Sequence, residues 1–171
     1  MRPGACAVIT APKPLRVLVC GPRSWGRKQA EEDLVVKMLM ILRRALPNNA
    51  IVMHDGCPTG VSGLVDLIWW FTWGRPTEAI PPAWDHCGPE CPSPSDLTHR
   101  KAVSSPAVRR QHPGEEDTFC YTADLRAVRA LLRTSYRPDL CLAIMTPFAR
   151  VTRDTARLAH DAGVETRRLE L

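Results

Sequence analysis

Two phrases constrain this chain more than anything else in it: RVLVCGPRSWG at 16–26 and IVMHDGCPTGVSG at 51–63. Each is a hydrophobic run that ends in a glycine-containing turn and leads into a helix-like segment. Strand, glycine turn and helix in succession leave unpaired backbone N–H groups at the start of a helix, which is how α/β proteins build sites for phosphate-bearing ligands. Function is therefore expected at these turns.

The rest of the chain repeats the alternation. Leu15 to Cys20 is a continuous β-type run of the kind buried on both faces, which predicts a central parallel strand. From Arg27 to Leu46 the segment places acids first and arginines last, as a helix dipole prefers, and Pro47 ends it. Ala50 to His54 predicts the second strand. Gly60 to Trp73 predicts a second helix whose apolar positions are Leu64, Leu67, Ile68 and Phe71, with Trp69, Trp70 and Trp73 as an aromatic group that reads as core or dimer contacts sooner than as a base-stacking platform. Glu78 to Ile80 is a weak strand cut short by Pro81 and Pro82. A helical pattern returns at Thr122–Thr134 with Thr122 as N-cap, followed by a buried strand at Asp139–Met145, a loop into a helix capped by Thr152 and stopped at Gly163, and a last strand at Val164–Leu169. The expectation is α/β, a single Rossmann-like domain over 1–171 with a parallel sheet flanked by helices. Residues 1–14 read as a loose lead and 84–120 as an irregular insertion, rich in Pro, Ser, Gly and His and longer than a compact domain tolerates without a purpose.

Composition narrows the class. A length of 171 residues suits one domain, and 44% hydrophobic with 24% charged residues is ordinary for a globular protein. No segment reaches the roughly 18 apolar residues of a membrane span, and the start of the chain lacks a secretion-signal pattern, so a cytoplasmic protein is expected. The formal charge of +5 comes mainly from arginines spread along the chain. That permits nucleic-acid binding without indicating it, and homo-oligomerisation is likewise left open.

Each turn carries candidate ligand contacts beside an ordinary structural explanation. In the first, Gly21 allows close backbone approach, Arg23 offers a planar fork to a phosphate and Trp25 could cover a base. The turn lacks GxGxxG, so no redox dinucleotide cofactor is expected. In the second, Gly56, Thr59, Gly60 and Ser62 surround a helix start whose N–H groups would face an anion, while His54 could touch a ribose or act as an acid or base. In the third, Arg150 is a phosphate partner, with Thr152 and Asp154 at the helix start. A structural cap explains those two equally well.

Taken together, the turns resemble the YspA-like branch of the SLOG superfamily, the Rossmann-like group around the DprA and LOG proteins, of actinobacterial or phage type. RVLVCGPRSW is similar to an opening "RVLVTGSRxW", HDGCPTGVSG to "HGGARGAD", and ARVTRDTARLAHDAGV at 149–164 to "SRGTxDxxRxAxxAGI". The resemblance covers most of the chain and implies a pocket for a nucleotide-derived ligand, a nucleoside phosphate or an ADP-ribose-like molecule, at the C-terminal edge of the sheet. Ser62 stands where the family has Asp, and Val151 where it has Gly. The "PGGxGTxxE" motif of phosphoribohydrolase relatives is missing, which favours binding or sensing over a nucleotide phosphoribohydrolase or N-glycosidase activity.

Seven cysteines without a secretion signal argue against a disulfide framework. Cys20 and Cys141 sit in apolar runs and read as small buried hydrophobes. In the insertion, Cys87, Cys91, His99 and Cys120 form a set that could hold a structural zinc, with His86 and His112 as alternative ligands; free thiols in a loop are the competing reading. The resemblance extends here as well, since relatives carry a Cys-rich insertion before a "YCPxAGxRRNxxM" segment, to which CYTADLRAVRALL at 120–132 is similar, with Arg126 and Arg129 in its arginine element. A small zinc-containing nucleic-acid-binding or interaction protein is the non-enzymatic alternative.

Overall fold

The structure, a computed structural model, describes residues 13–57, 59–80, 82 and 123–170. The N-cap at Thr122, the insertion 84–120 and all the proposed zinc ligands lie outside the described residues. Within them the chain is an α/β protein whose five-stranded parallel sheet is flanked by helices on both faces, a Rossmann-like arrangement. The elements in chain order are β1 (Arg16–Cys20), α1 (Gln29–Ala45), β2 (Ile51–His54), α2 (Gly60–Val65), a π-helical stretch (Asp66–Thr72), β3 (Thr77–Ala79), α3 (Ala123–Leu132), β4 (Leu140–Met145), α4 (Arg150–Asp161) and β5 (Glu165–Glu170).

The strands lie in the order β3-β2-β1-β4-β5 with every pairing parallel. β1 is central, as its continuous β-type run predicts: Arg16 to Val19 are all buried. Alternation along β1 sorts its side chains between two cores. Val17 and Val19 join Val35, Leu39, Val61, Val65 and Trp69 beneath α1, α2 and the π-helical stretch. Leu18 joins Met53, Leu131, Cys141, Ala159 and Val164 on the α3 and α4 face. Period-two alternation in a strand buried on both sides produces this division.

The segment 60–73 is not the single amphipathic α-helix its sequence predicts. α2 ends at Val65, and the following seven residues are π-helical, with Trp73 N–H bonded to Ile68 O at 3.0 Å. The wider turn changes which side chains face inward. Ile68 and Trp69 are buried, with Trp69 fully so, while Leu67 and Phe71 are 51% and 80% exposed. Trp69 and Trp73 meet edge to face with centroids 5.9 Å apart, but Trp70 points to solvent at 57% exposure and is not part of their group.

A second correction concerns Thr152. Helix α4 begins at Arg150, with Ala149 in the N-cap position and no side-chain cap, so Thr152 is inside the first turn instead of capping it. The reason is packing. Thr152, Thr155, Ala156 and Ala159 form the buried face of α4, at helical spacing, and Thr152 could not join that face from outside the helix. None of the described helices is long and apolar enough to cross a membrane.

Candidate functional site

In an open parallel sheet the strand order reverses at one point, and there the helices on either side leave a crevice outside the carboxyl ends of the strands. Here that point lies between β1 and β4. A cleft of about 370 Å³ occupies it. One wall is the turn after β1 (Gly21, Pro22, Arg23, Ser24), the other the turn after β4 with the start of α4 (Thr146 and Phe148–Thr152), and Asp55 and Asp124 complete the lining. A smaller recess of about 40 Å³ continues inward from Gly21, Asp55, Asp124, Val151 and Thr152 towards Cys20 and Val128.

The first turn and the third turn thus face each other across the cleft. Gly21 has a packing role as well: a Cβ there would come within 2.4 Å of Val61 Cγ2 and 3.3 Å of Ile144 Cβ, so the missing side chain lets α2 close over the end of β1. Arg150, 74% exposed, stands at the rim with its Nε 4.0 Å from Asp154 Oδ2, and Arg157 holds the other Asp154 oxygen at 3.2 Å. Thr152 is buried in the wall. The first turn of α4 contains no acidic side chain; the Arg150 N–H is donated to Phe148 O at 2.9 Å, and the N–H groups of Val151 and Thr152, which follow it in the first turn, have no partner within the helix.

Arg23 dominates the floor. Its Nη2 spans both carboxylate oxygens of Asp124 at 2.6 and 2.7 Å and stands 3.7 Å from Asp55 Oδ2. Burial disfavours the guanidinium charge, but the facing carboxylates of Asp124 and Asp55 outweigh it and push the pKa above the ordinary arginine value. Arg23 is therefore always charged and already matched by acid. Asp124 is 5% exposed, and its place in α3 explains why: Ala123, Asp124, Val128 and Leu131 are the buried positions, so a carboxylate sits on the helix's inward face, where it meets the Arg23 guanidinium.

The second turn contributes differently. His54 is fully buried, continuing the inward side of β2; its Nδ1 accepts the Gly56 N–H at 3.1 Å and its Nε2 lies 2.9 Å from Asp66 Oδ1. It holds the β2 turn to the π-helical stretch and does not line the cleft. Gly60 adopts a φ of +68°, and a Cβ there would meet Pro22 O at 2.4 Å and Arg23 Cα at 2.5 Å. Val61 N–H is donated to Pro22 O at 3.3 Å and Thr59 Oγ1 to Arg23 O at 3.2 Å. These groups brace the first turn. Thr59 and Gly60 line, with Trp25, Leu64 and Leu67, a separate hollow of about 300 Å³, and Ser62 is buried within α2. Gly56, at a φ of 73°, shapes the bend after β2.

Family models, curated proteins and solved structures all return no match.

Two functional candidates escaped the sequence reading. Asp55 follows His54 directly, and strand alternation already held the clue: with His54 turned inward beside Val52, residue 55 is the first to leave the sheet edge. Asp124 was legible as a charge on the apolar stripe of an amphipathic helix, at i, i+4 and i+7 with Val128 and Leu131. The thiols are quiet by comparison. A hydrogen bond with Cys141, then burial, pushes the Cys20 thiol well up, and burial pushes Cys57 up, so both stay protonated near neutrality.

Proposed function

We propose that this protein binds a nucleotide-derived ligand, a nucleoside phosphate or an ADP-ribose-like molecule, in the cleft between β1 and β4, and that it belongs with the YspA-like SLOG proteins its turns resemble. The observation that carries the reading is the position of the cleft: at the reversal point of a parallel sheet, between a glycine turn and the N-terminus of a twelve-residue helix. The helix end supplies N–H donors and the positive end of a dipole to an anion, and Arg150 supplies an exposed charge at the rim. Arg23 orders the floor instead of meeting the phosphate alone, because Asp124 and Asp55 already face it.

Binding or sensing suits these groups better than hydrolysis. The phosphoribohydrolase motif is absent, and both Asp124 oxygens are held by Arg23. A structural zinc at Cys87, Cys91, His99 and Cys120 is part of the proposal, on the chemistry of three thiolates and an imidazole alone.

Native mass spectrometry of gently purified protein, before and after denaturation, tests both parts. A retained nucleotide and one zinc per chain are the expected masses; an apo chain that also fails to take up nucleoside monophosphates in titration would overturn the binding reading. Val151→Asp sharpens the test. Val151 is half-buried in the cleft wall at the start of α4. An acid in a first helical turn stabilises by about 0.3–1 kcal/mol, yet there it would repel an anion. The variant is expected to keep its melting temperature and lose at least about tenfold in affinity, equivalent to roughly 1.4 kcal/mol.

A further inference from the structure

The charges in the cleft are unevenly committed. Arg23 has given its Nη2 to both oxygens of Asp124. Asp55 uses Oδ1 to accept the Cys57 N–H at 3.0 Å, which fixes the carboxylate in the bend after β2. Its Oδ2 is 3.7 Å from Arg23 Nη2, too far for a hydrogen bond, and accepts none among the described residues. The Asp55 side chain is 30% exposed and lines both the cleft and the recess behind it. Among the described residues one guanidinium faces two carboxylates here, so they leave this end of the cleft with an excess of negative charge and with Asp55 Oδ2 as an acceptor facing the cleft.

That end repels a phosphate and suits hydrogen-bond donors. The opposite wall, where α4 begins beside Arg150, has the reverse preference. From this polarity we infer that Asp55 is a specificity-determining residue that accepts hydrogen bonds from the sugar hydroxyls of the ligand, selecting ribonucleotides with a free vicinal diol over deoxy analogues and over inorganic phosphate. The inference rests on the nucleotide-binding reading above and adds the ligand's orientation: sugar over Asp55, phosphate towards α4. Arg23 and Asp124 act as positioning residues, since their pairing keeps the guanidinium from closing onto Asp55. A carboxylate built to receive hydroxyls is left desolvated and unpaired by a ligand that lacks them, which is why discrimination of this kind is strong.

Calorimetric titration of the full-length chain with the four ribonucleoside 5′-monophosphates, their 2′,3′-dideoxy counterparts and inorganic phosphate tests it. The expected result is that at least one ribonucleotide binds ten-fold or more tightly than its dideoxy counterpart, with phosphate weaker than either. Asp55→Asn keeps an oxygen for the Cys57 N–H, so the bend is retained, and should reduce that ratio to within about two- to threefold. Equal affinity of ribo and dideoxy ligands in the wild type, or an unchanged ratio in Asp55→Asn with an unaltered melting temperature, would overturn the role of Asp55 while nucleotide binding stood. No binding by any nucleotide would overturn the underlying reading, and the inference with it.

Discussion

Two glycines with nearly the same backbone show how the surroundings of a residue set its worth. Gly60 and Gly163 both have positive φ, +68° and +75°, but a Cβ at Gly60 would run into the backbone of Pro22 and Arg23, whereas at Gly163 nothing lies within 4 Å. Alanine at Gly163 should cost about 1–2 kcal/mol for the left-handed conformation alone. At Gly60 the same change must also displace the first turn, and about 3 kcal/mol or more is expected, in the range of clashes that the core cannot absorb. Urea unfolding of the two variants, read as midpoint shifts at constant slope, checks the contrast. Because Gly60 props up the turn that carries Arg23, its alanine variant should also weaken ligand binding. Gly163→Ala should leave binding alone.

Among the elements, the π-helical stretch departs furthest from its expected pattern. Read at 3.6 residues per turn, Leu64, Leu67, Ile68 and Phe71 make a tidy apolar face; the structure instead buries Val61, Val65, Ile68 and Trp69. One of the segment's two tryptophans, Trp69, takes the core position, and the i→i+5 turn is what admits it. Trp69→Ala should therefore cost about 3–5 kcal/mol, as large-to-small changes at fully buried aromatics do. Phe71→Ser should stay within about 0.5 kcal/mol, typical of exposed sites. Thermal or urea denaturation of both variants decides it. If Phe71→Ser were the costly one, the seven residues would be α-helical after all. The same competition between local preference and packing moved the start of α4: Thr152 is a better cap than Ala149 by intrinsic preference, yet it is needed on the face that meets β4.

At the scale of the whole molecule, the cleft exists because β1 sits between two neighbours reached by crossovers on opposite faces, β2 through α1 and β4 through α3. Its walls come from segments more than a hundred residues apart in sequence: Arg23 and Asp124 are separated by 101 positions. A ligand that bridges the two walls adds to the stability of both halves of the sheet. At 100 times its dissociation constant it should contribute about 2.7 kcal/mol, which for a chain of this size is a rise in melting temperature of roughly 5–10 °C. A nucleotide titration followed by differential scanning calorimetry measures this, and at the same ligand concentration the rise should fall to about half or less in Val151→Asp.

The sequence by itself determined the alternation of strands and helices and the central burial of β1, and it marked the turns after β1, β2 and β4 as the candidate ligand contacts. Those properties follow from local pattern, since apolar periodicity and turn chemistry are written within a few residues of each other. What only the tertiary structure decided was the division of labour among the turns. Arg23, read locally as a phosphate ligand, is matched to acids, because Asp124 arrives on α3 from the far side of an insertion. His54, read as a candidate acid, base or ribose contact, is turned into the fold by the alternation of β2. Asp55 faces the cleft in its place. The charge state and accessibility of a polar group depend on partners that sequence distance conceals, so the turn residues that line the cleft, and Asp124 from α3 beside them, could be assigned only once the sheet had brought these segments together.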